Sequence, residues 1–409
     1  MNKKQINKKI LIIGIILILI VFILFISIKL INIYRVNHAK KIVELKTKEI
    51  EVYSDIKLKD LISNINGKIV DNKKIDTKTL GKKEITFEYI NDDNIKIAYK
   101  VEINIVDKTP PIISQIKNYR ITEGDTTDIS KTLFCGDNYD KNPKCTIKGE
   151  YDINTPGTYN VTFVGVDSSN NKSTNDMNII VEEKQENEKS KNTRQSEPVY
   201  TDYKDVIKKY KTTDNEIGID VSHWQGNINY KKLKKAGVEF AYIRVGRGDG
   251  IGEDYVLDDK FIKNIKGFNK EKIPVGIYFY SNANSKSDAI KEAKWVIKQI
   301  KKYDVSLEIV FDWENWSKFQ DYNLSFYSLT EAANAFTETV EKSGYKGMVY
   351  SSKNYLETIW YNINSNIWLA HYTSKTDYEK EYKVWQLCNN GKVDGIEDNL
   401  VDINIRYKK

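Results

Sequence analysis

The sequence predicts a multidomain protein with one transmembrane helix, two β-sandwich domains and a C-terminal α/β barrel. Its 409 residues exceed the length of one ordinary domain, and an unbroken apolar run lies close to the N-terminus. The middle of the chain repeats itself with an offset of 76 residues, and strand-like and helix-like patterns alternate beyond residue 216. These observations divide the chain into an anchor, a repeated β region and a barrel.

The apolar run Ile10–Ile28 is interrupted only by Gly14 and Ser27. Its 19 residues are enough to span a membrane as a helix, and the lysines before it favour a cytoplasmic N-terminus. The segment that follows lacks the small residues of a signal-peptide cleavage site. We therefore expect a cytoplasmic tail at residues 1–9 and a transmembrane anchor at residues 10–30. The protein would cross the cell membrane once, with the rest of the chain outside.

The repeat predicts two tandem β-sandwich domains, at residues 45–108 and 109–183. Apolar and polar residues alternate within each copy, as in half-buried strands, and turn residues separate the alternating runs. The second copy resembles the bacterial immunoglobulin-like domains of surface proteins. Neither copy gathers acids, bases or nucleophiles, so we expect both to be spacers. The repeated residues are Asp76, Thr79, Gly81, Thr86 and Phe87, which recur as Asp152, Thr155, Gly157, Thr162 and Phe163.

Composition excludes several classes of protein. Of the net charge of +7, residues 216–409 contribute almost nothing, because they hold 28 basic and 27 acidic side chains. A nucleic-acid partner is therefore not expected. Three cysteines and three histidines are too few for a disulfide framework or a Cys/His-rich metal site, and we expect no cofactor. Cys135 and Cys145 are close enough in sequence to form one disulfide outside the cell.

A linker and a barrel complete the chain. Residues 184–215 are rich in Lys, Glu, Asn, Ser and Gln, which predicts a flexible linker. Strand-like and helix-like patterns then alternate over residues 216–409, and eight strand-like runs predict a closed α/β barrel of the TIM type. In such barrels the reacting groups lie at the carboxyl ends of the strands. The eight runs are Ile217–Val221, Phe240–Val245, Pro274–Tyr280, Leu307–Asp312, Gly347–Ser351, Asn366–Ala370, Val384–Leu387 and Val401–Ile405.

Three of these strands carry acidic residues near such positions. Asp220 lies near the end of the first strand and Asp402 begins the last. Asp312 and Glu314 close the fourth, and side chains two apart on a strand share a face, so we expect them to project together. Neighbouring carboxylates repel, which keeps one of them protonated as a general acid near neutral pH. This is the chemistry of glycosidic bond cleavage, although a short Asp-x-Glu motif also occurs by chance.

Aromatic residues accompany the acids along the domain. Their faces stack on the apolar faces of sugars while their polar tips reach the hydroxyl groups, which favours a carbohydrate ligand. Ordinary barrel packing is the alternative explanation. The aromatic residues in question are Tyr278, Tyr280, Trp316, Trp368 and Tyr372.

Seven motifs occur in a fixed order across the domain. Together they resemble the glycoside hydrolase family 25 lysozymes, the N-acetylmuramidases that cut the glycan of bacterial peptidoglycan. The resemblance covers the domain from about Gly218 to Ile405. Its motifs are Gly218–Gly226, Ala241–Val245, Pro274–Tyr280, Asp312–Glu314, Trp368–Tyr372, Val384–Gln386 and Val401–Asn404.

The resemblance implies roles for individual residues. Glu314 would be the general acid/base and Asp312 its charged partner, with Asp220 and Asp402 completing the acidic cluster. Because the family cleaves beside a sugar with a 2-acetamido group, Asp312 would act either as the second carboxylate or by orienting that amide. Many members have His where this chain has Phe279, and we expect changed packing there. The residues that match positions lining the family's groove are Tyr278, Trp368, Tyr372 and Gln386.

These observations predict a membrane-anchored peptidoglycan hydrolase that cleaves the β-1,4 bond between N-acetylmuramic acid and N-acetylglucosamine on the wall side of the membrane. Its partners would be peptidoglycan glycan strands and, through one N-terminal helix, the membrane. The alternative is a catalytically silent glycan-binding module on the same barrel. A cysteine peptidase using Cys388 and His371 is disfavoured for want of an orienting residue. A metal-dependent deacetylase using Asp220 and His223 is disfavoured for want of ligands.

Overall fold

The computed structural model describes residues 3–184, 199–252 and 254–408. They divide into two compact units, Met1–Lys108 and Thr109–Lys409. The first unit begins with helix α1, Lys3–His38. Its part Ile12–His38 is long and apolar enough to cross a membrane, a property that a signal sequence shares.

The rest of the first unit is a small β domain. Its strands and one short helix are β1 Val43–Leu45, β2 Glu49–Glu51, α2 Leu58–Leu61, β3 Ile62–Ile65, β4 Gly67–Ile69, β5 Gly81–Asn91 and β6 Lys96–Val106. A four-stranded sheet has the order β2-β6-β5-β4, and β1 pairs with β3 in a separate two-stranded sheet. Along β5, buried Ile85, Phe87 and Tyr89 alternate with exposed residues, because successive side chains of a strand point to opposite faces.

The second unit begins with a copy of this arrangement, which we call the second β domain. Its elements are β7 Ile112–Ile113, β8 Asn118–Thr122, α3 Ile129–Thr132, β9 Cys135–Gly136, β10 Lys144–Lys148, β11 Gly157–Val166 and β12 Lys172–Glu182. The order β8-β12-β11-β10 repeats β2-β6-β5-β4, and β7 pairs with β9 as β1 does with β3. β11 and β12 begin 76 residues after β5 and β6, so the internal repeat is present in the structure. The immunoglobulin-like assignment stays a prediction.

The remainder of the second unit is a closed barrel of eight strands. These are β14 Asn215–Val221, β15 Ala241–Gly248, β17 Val275–Tyr280, β18 Ile309–Asp312, β19 Gly347–Ser352, β20 Asn366–Ala370, β21 Val384–Val393 and β22 Ile396–Tyr407. The first seven run parallel in chain order. β22 closes the barrel antiparallel to both β14 and β21. The prediction of eight strands is confirmed, but the last strand is reversed with respect to the parallel arrangement that we expected.

Helices and two edge strands surround the barrel. They are β13 Thr201–Asp202, α4 Tyr203–Tyr210, α5 Tyr230–Lys235, β16 Tyr255–Leu257, α6 Phe261–Lys270, α7 Lys286–Ile300, α8 Phe326–Lys342 and α9 Lys353–Thr358, with 3-10 helices at His223–Gln225 and Trp316–Tyr322. The barrel interior is filled by large side chains such as Phe240, Tyr242 and Trp368. At the amino end of the strands, the Tyr242 hydroxyl and Arg406 both bind buried Glu308, which closes that end.

The barrel begins earlier in the chain than the sequence predicts. β13 pairs with β21, and α4 packs on the barrel through buried Tyr203 and Val206. The Tyr203 hydroxyl donates a 2.8 Å hydrogen bond to the Ile217 carbonyl. The predicted linker at residues 184–215 is therefore too long at its carboxyl end. Its residues 185–198 lie outside the described part of the chain.

The cysteines divide into a bonded pair and a single thiol. Cys135 and Cys145 form a disulfide in the second β domain, as the sequence allowed. Cys388 is free and buried in β21. Burial raises the pKa of the Cys388 thiol, which is the opposite of what a nucleophilic cysteine needs. The structure therefore does not favour a cysteine peptidase that uses Cys388 as its nucleophile.

Candidate active site

The four predicted carboxylates meet at the carboxyl end of the barrel. Asp220 lies near the end of β14, and Asp312 is the last residue of β18. Asp402 lies directly opposite Asp220 in the pairing of β14 with β22. Because β22 runs antiparallel to β14, this pairing brings Asp402, near the middle of β22, to the same end of the barrel as Asp220. Glu314 differs from expectation, since it lies in the loop after β18 rather than on the strand.

Asp220 and Asp402 form an inner pair. Asp220 is buried, and its Oδ2 accepts hydrogen bonds from Gln386 Nε2 at 3.0 Å and Asn404 Nδ2 at 2.8 Å. Burial raises the pKa of Asp220. Burial and the neighbouring Asp220 carboxylate raise the pKa of Asp402 to about 9. The inner pair therefore retains a proton at neutral pH.

Asp312 and Glu314 form an outer pair. Asp312 is only 4% exposed, whereas Glu314 is exposed. Burial and then the adjacent Glu314 carboxylate hold the pKa of Asp312 well above its usual range, and nearby Arg244 opposes that shift. The Asp312 carboxyl therefore retains its proton to a higher pH than an isolated aspartic acid does. Of the two, Glu314 is the one exposed to solvent.

The loop that carries Glu314 is held in place by hydrogen bonds of the two residues that flank the acid. The fully buried Trp313 donates its indole N–H to the Ala283 carbonyl at 3.2 Å. Asn315 Nδ2 donates to Asn282 Oδ1 at 2.8 Å. Trp313 and Asn315 alternate with Glu314, so the residues on both sides of the acid are anchored and its side chain is directed outward.

A cleft of about 450 Å³ opens beside Glu314. Trp316 forms one side, with its ring stacked on Tyr355 at a centroid distance of 4.0 Å. On the other side, the hydroxyl groups of Tyr350 and Tyr372 donate to Gln386 Oε1 at 2.9 and 3.1 Å. Residues lining the cleft include Glu314, Trp316, Tyr350, Tyr355, His371 and Tyr372.

Other predicted groove residues occupy different places. Tyr278 and Tyr280 are half-buried beside the acids, and burial raises the pKa of both phenols. Trp368 is only 2% exposed, and its indole N–H donates to Asn404 Oδ1 at 2.8 Å, so it supports the site from within the barrel instead of lining it. Phe279 points away from the site and packs against Trp295, as expected from the changed residue.

Three residues near the acids were not predicted. Tyr350 lies on β19 directly beside Asp312, and Asn404 is two residues from Asp402 on β22. Arg244 is a charged residue in the otherwise apolar first part of β15, next to Tyr278 in the sheet. Each of these patterns is visible in the sequence, but none is specific enough to assign a role without the contacts.

The geometry around His223 argues against a metal site there. Its Nδ1 contacts the guanidinium of Arg244, and that guanidinium also binds buried Asp258 at 2.8 Å. A fixed cation at this distance from the imidazole repels a metal ion. The pairing of Asp220 with His223 that a deacetylase would need is therefore not supported.

Comparisons with known proteins find matches to part of this chain. Residues 219–396 match the family model of glycosyl hydrolases family 25. Lysozyme M1 of Streptomyces globisporus is 39% identical over 75 residues, which are 18% of this chain and 24% of that protein. The autolytic lysozyme of Clostridium acetobutylicum is 25% identical over 186 residues, 44% of this chain and 52% of that protein. The chain thus spans about a quarter to a half of the length of these curated relatives.

One solved structure is similar to part of this chain. It is the modular autolysin LytC of Streptococcus pneumoniae in complex with a synthetic peptidoglycan ligand. The sequence identity is 28%, the match covers 48% of each chain, and the TM-score is 0.43. The match to glycosyl hydrolases family 25 runs from Ile219 to Ile396 and therefore lies within the barrel.

Proposed function

We propose that the barrel is a lysozyme-type glycoside hydrolase that cleaves the β-1,4 bond between N-acetylmuramic acid and N-acetylglucosamine in peptidoglycan. The observation that carries the proposal is the outer pair, in which buried Asp312 meets exposed Glu314 at the edge of an aromatic cleft. The match to glycosyl hydrolases family 25 agrees with it, as do two of the curated relatives, a lysozyme and an autolytic lysozyme.

Glu314 is the general acid/base in this proposal. It gives its proton to the glycosidic oxygen as the bond from that oxygen to the anomeric carbon breaks. Water then adds to the anomeric carbon and returns a proton to Glu314. Asp312 shares the proton before cleavage and is left ionised when Glu314 has donated it. Its charge then stabilises the positive charge at the anomeric carbon, either directly or through the 2-acetamido group.

The remaining polar groups shape the floor of the site. The inner pair Asp220–Asp402 retains a proton and holds Gln386 by a hydrogen bond. Gln386 in turn accepts from two tyrosines of the cleft wall, so its amide orientation is determined. We assign the aromatic residues of the cleft and its margin to sugar binding: Tyr278, Tyr280, Trp316 and Tyr372.

The cellular location that we propose for the enzyme depends on its N-terminal helix α1. We propose that α1 anchors the protein in the cell membrane and that the barrel acts on the wall side, where peptidoglycan lies. The apolar stretch Ile12–His38 supports the anchor by its length and composition. Retention of the full-length chain in the membrane fraction, with an intact N-terminus by mass spectrometry, tests the anchor against a cleaved signal sequence.

Mass spectrometry of digested peptidoglycan tests the reaction. The full-length chain in detergent micelles is compared with Glu314→Gln and with Glu338→Gln, which alters an exposed carboxylate on α8. We expect fragments that end in reducing N-acetylmuramic acid from the first and third proteins and none from Glu314→Gln.

Other products would change the assignment. Reducing N-acetylglucosamine ends would keep a glycosidase and overturn the bond that we assign. Peptidoglycan binding without any cleavage, by the unaltered chain, would favour the glycan-binding module. Equal cleavage by Glu314→Gln would remove Glu314 from the chemistry.

A further inference from the structure

The second β domain packs directly on the barrel. Phe134 lies at the contact, and its backbone belongs to the β domain, because its N–H donates to Ser114 Oγ and its carbonyl accepts from the Ser114 N–H, both at 2.8 Å. Its side chain, however, packs against the hydrophobic core of the barrel and not against that of its own domain. Phe134 is therefore held by one domain and inserted into the other.

Phe134 enters a cluster of four aromatic residues of the barrel. Its ring centroid lies 5.7 Å from that of Phe319, 6.2 Å from those of Phe326 and Tyr355, and 6.5 Å from that of Trp316. Aromatic pairs at such distances stabilise an interface beyond the area that they bury. Trp316 and Tyr355 are the stacked pair that forms one side of the cleft.

Backbone hydrogen bonds join the same two domains. The N–H of Phe326, the first residue of α8, donates to the Asp137 carbonyl at 2.9 Å, and the N–H of Tyr327 donates to the Asn138 carbonyl at 3.4 Å. The first N–H groups of a helix have no partner within the helix. The second β domain thus supplies acceptors that α8 needs, which a mere spacer does not do.

Side chains extend the contact along the 3-10 helix Trp316–Tyr322. Asn142 Nδ2 donates to Asn323 Oδ1 at 2.6 Å, and Gln320 Nε2 donates to the Pro143 carbonyl at 3.3 Å. The fit at Gly136 is close, since a Cβ there would lie 2.6 Å from the Phe326 ring. Absence of a side chain at Gly136 lets the two domains meet.

The contact between the second β domain and the barrel is connected to Glu314 through Trp316. Trp316 begins the 3-10 helix on which the β domain sits, and its N–H donates to the Glu314 carbonyl at 2.8 Å. A shift of this segment would move the Trp316 wall and the loop of Glu314 together. The contact and the acid are therefore parts of one continuous structure.

We infer that the second β domain is a docked part of the hydrolase, in which Phe134 is a positioning residue for the Trp316 side of the cleft. Its effect on turnover rests on the proposed function, whereas docking itself does not. The role of a spacer, expected from the sequence for both copies, would then not apply to the second.

The test compares the full-length chain in detergent micelles with Phe134→Ala, Phe134→Leu and Gly136→Ala. Tyr151→Ala is the matched control, because Tyr151 is an exposed aromatic residue of the same domain. Amide hydrogen exchange at Phe326 and Tyr327 measures docking, and the kcat and KM on soluble peptidoglycan fragments measure positioning. Thermal unfolding monitors whether each variant remains folded.

We expect exchange at Phe326 and Tyr327 to accelerate in Phe134→Ala and Gly136→Ala, by about tenfold or more, because local opening becomes easier. In the same variants kcat should fall about tenfold, since small displacements of positioned groups are costly to rate. Phe134→Leu should restore part of both, and Tyr151→Ala should change neither.

Each contrary result has one meaning. Unchanged exchange and kcat in folded Phe134→Ala and Gly136→Ala would overturn the inference while leaving the hydrolase intact. Faster exchange with unchanged kcat would keep the docking and overturn the positioning role. If the unaltered chain has no activity, the proposed function fails, and the exchange data still decide whether the domains dock.

Discussion

The barrel holds two pairs of carboxyl groups, and they differ in their access to solvent. The inner pair, Asp220 and Asp402, is bound by the amides of Gln386 and Asn404 and retains a proton behind the cleft. The outer pair, Asp312 and Glu314, has one buried member and one exposed member. Both pairs combine burial with mutual repulsion, and in the proposed mechanism the outer one passes a proton to a bound sugar. In that mechanism, the exposure of Glu314 distinguishes the reacting pair from the supporting pair.

The sharpest test of this difference is removal of the exposed acid. Glu314→Gln should lower kcat by about 10³-fold, because general acid catalysis typically contributes between 10² and 10⁴. Stability should hardly change, since the side chain is exposed. Steady-state cleavage of soluble peptidoglycan fragments gives the rate, with Glu338→Gln as control. A loss of less than about tenfold would assign the proton donor elsewhere.

Removal of the buried partner should have the next largest effect. In Asp312→Asn, the anion that stabilises positive charge in the proposed mechanism is gone, so kcat should fall about 10²-fold. Steady-state cleavage of soluble peptidoglycan fragments measures this loss, with Glu338→Gln as the control. A kcat in Asp312→Asn equal to that of the unaltered chain would remove Asp312 from the proposed mechanism.

The inner pair should make the free energy of unfolding depend on pH. Asp402 has a folded-state pKa of about 9, so between about pH 4 and 9 the folded barrel binds a proton that the unfolded chain has lost. Stability therefore falls as pH rises through this window, by at most about 1.4 kcal/mol per pH unit for one group. Asp402→Asn should flatten the slope and raise the free energy of unfolding at pH 8.

Urea unfolding followed by tryptophan fluorescence measures this slope. All seven tryptophans lie beyond residue 216, so the signal reports on the barrel and not on the β domains. Glu338→Gln provides the control, since that carboxylate lies on the surface of α8. A slope as steep in Asp402→Asn as in the unaltered chain would mean that Asp402 does not hold the proton.

The smallest effect is expected at the link between the inner pair and the cleft. Tyr350→Phe removes one of the two hydroxyl groups that donate to Gln386 Oε1, a loss of about 1 kcal/mol and hence several-fold in kcat/KM. Tyr372→Phe should act similarly. Combination of the two should cost more than the sum of the single changes, because Gln386 would then be free to turn. Strict additivity would contradict a shared role for this amide.

Sequence patterns identified the acids but not their surroundings. The ends of apolar strands located Asp220 and Asp312, because parallel strands bring their carboxyl ends to one face of a barrel. They could not show that Trp368 lies inside the barrel, since interior and groove positions alternate with the same period. The amide of Gln386 contacts Tyr350 across an intervening strand, and periodicity within one strand carries no information on such contacts.

Contacts between residues far apart in the sequence could not be predicted. Residues 201–210 have the polar composition of a linker, yet one buried face of α4, with Tyr203 and Val206, fixes the helix to the barrel. Phe134 looks like any apolar residue of a β domain, and its partners lie about 180 to 220 residues further along the chain. Tertiary packing determines both contacts, and neither contact has a recognisable local pattern in the sequence.

The reversed last strand has a practical consequence. Because β22 runs antiparallel beside β14, Tyr407 pairs with Asn215, at the opposite end of β14 from Asp220. The carboxyl terminus of the barrel therefore emerges on the face turned away from the acids. A label, affinity handle or appended module joined there leaves the entrance of the cleft unobstructed, and the protein can be immobilised through this end with the cleft still accessible to long polymers.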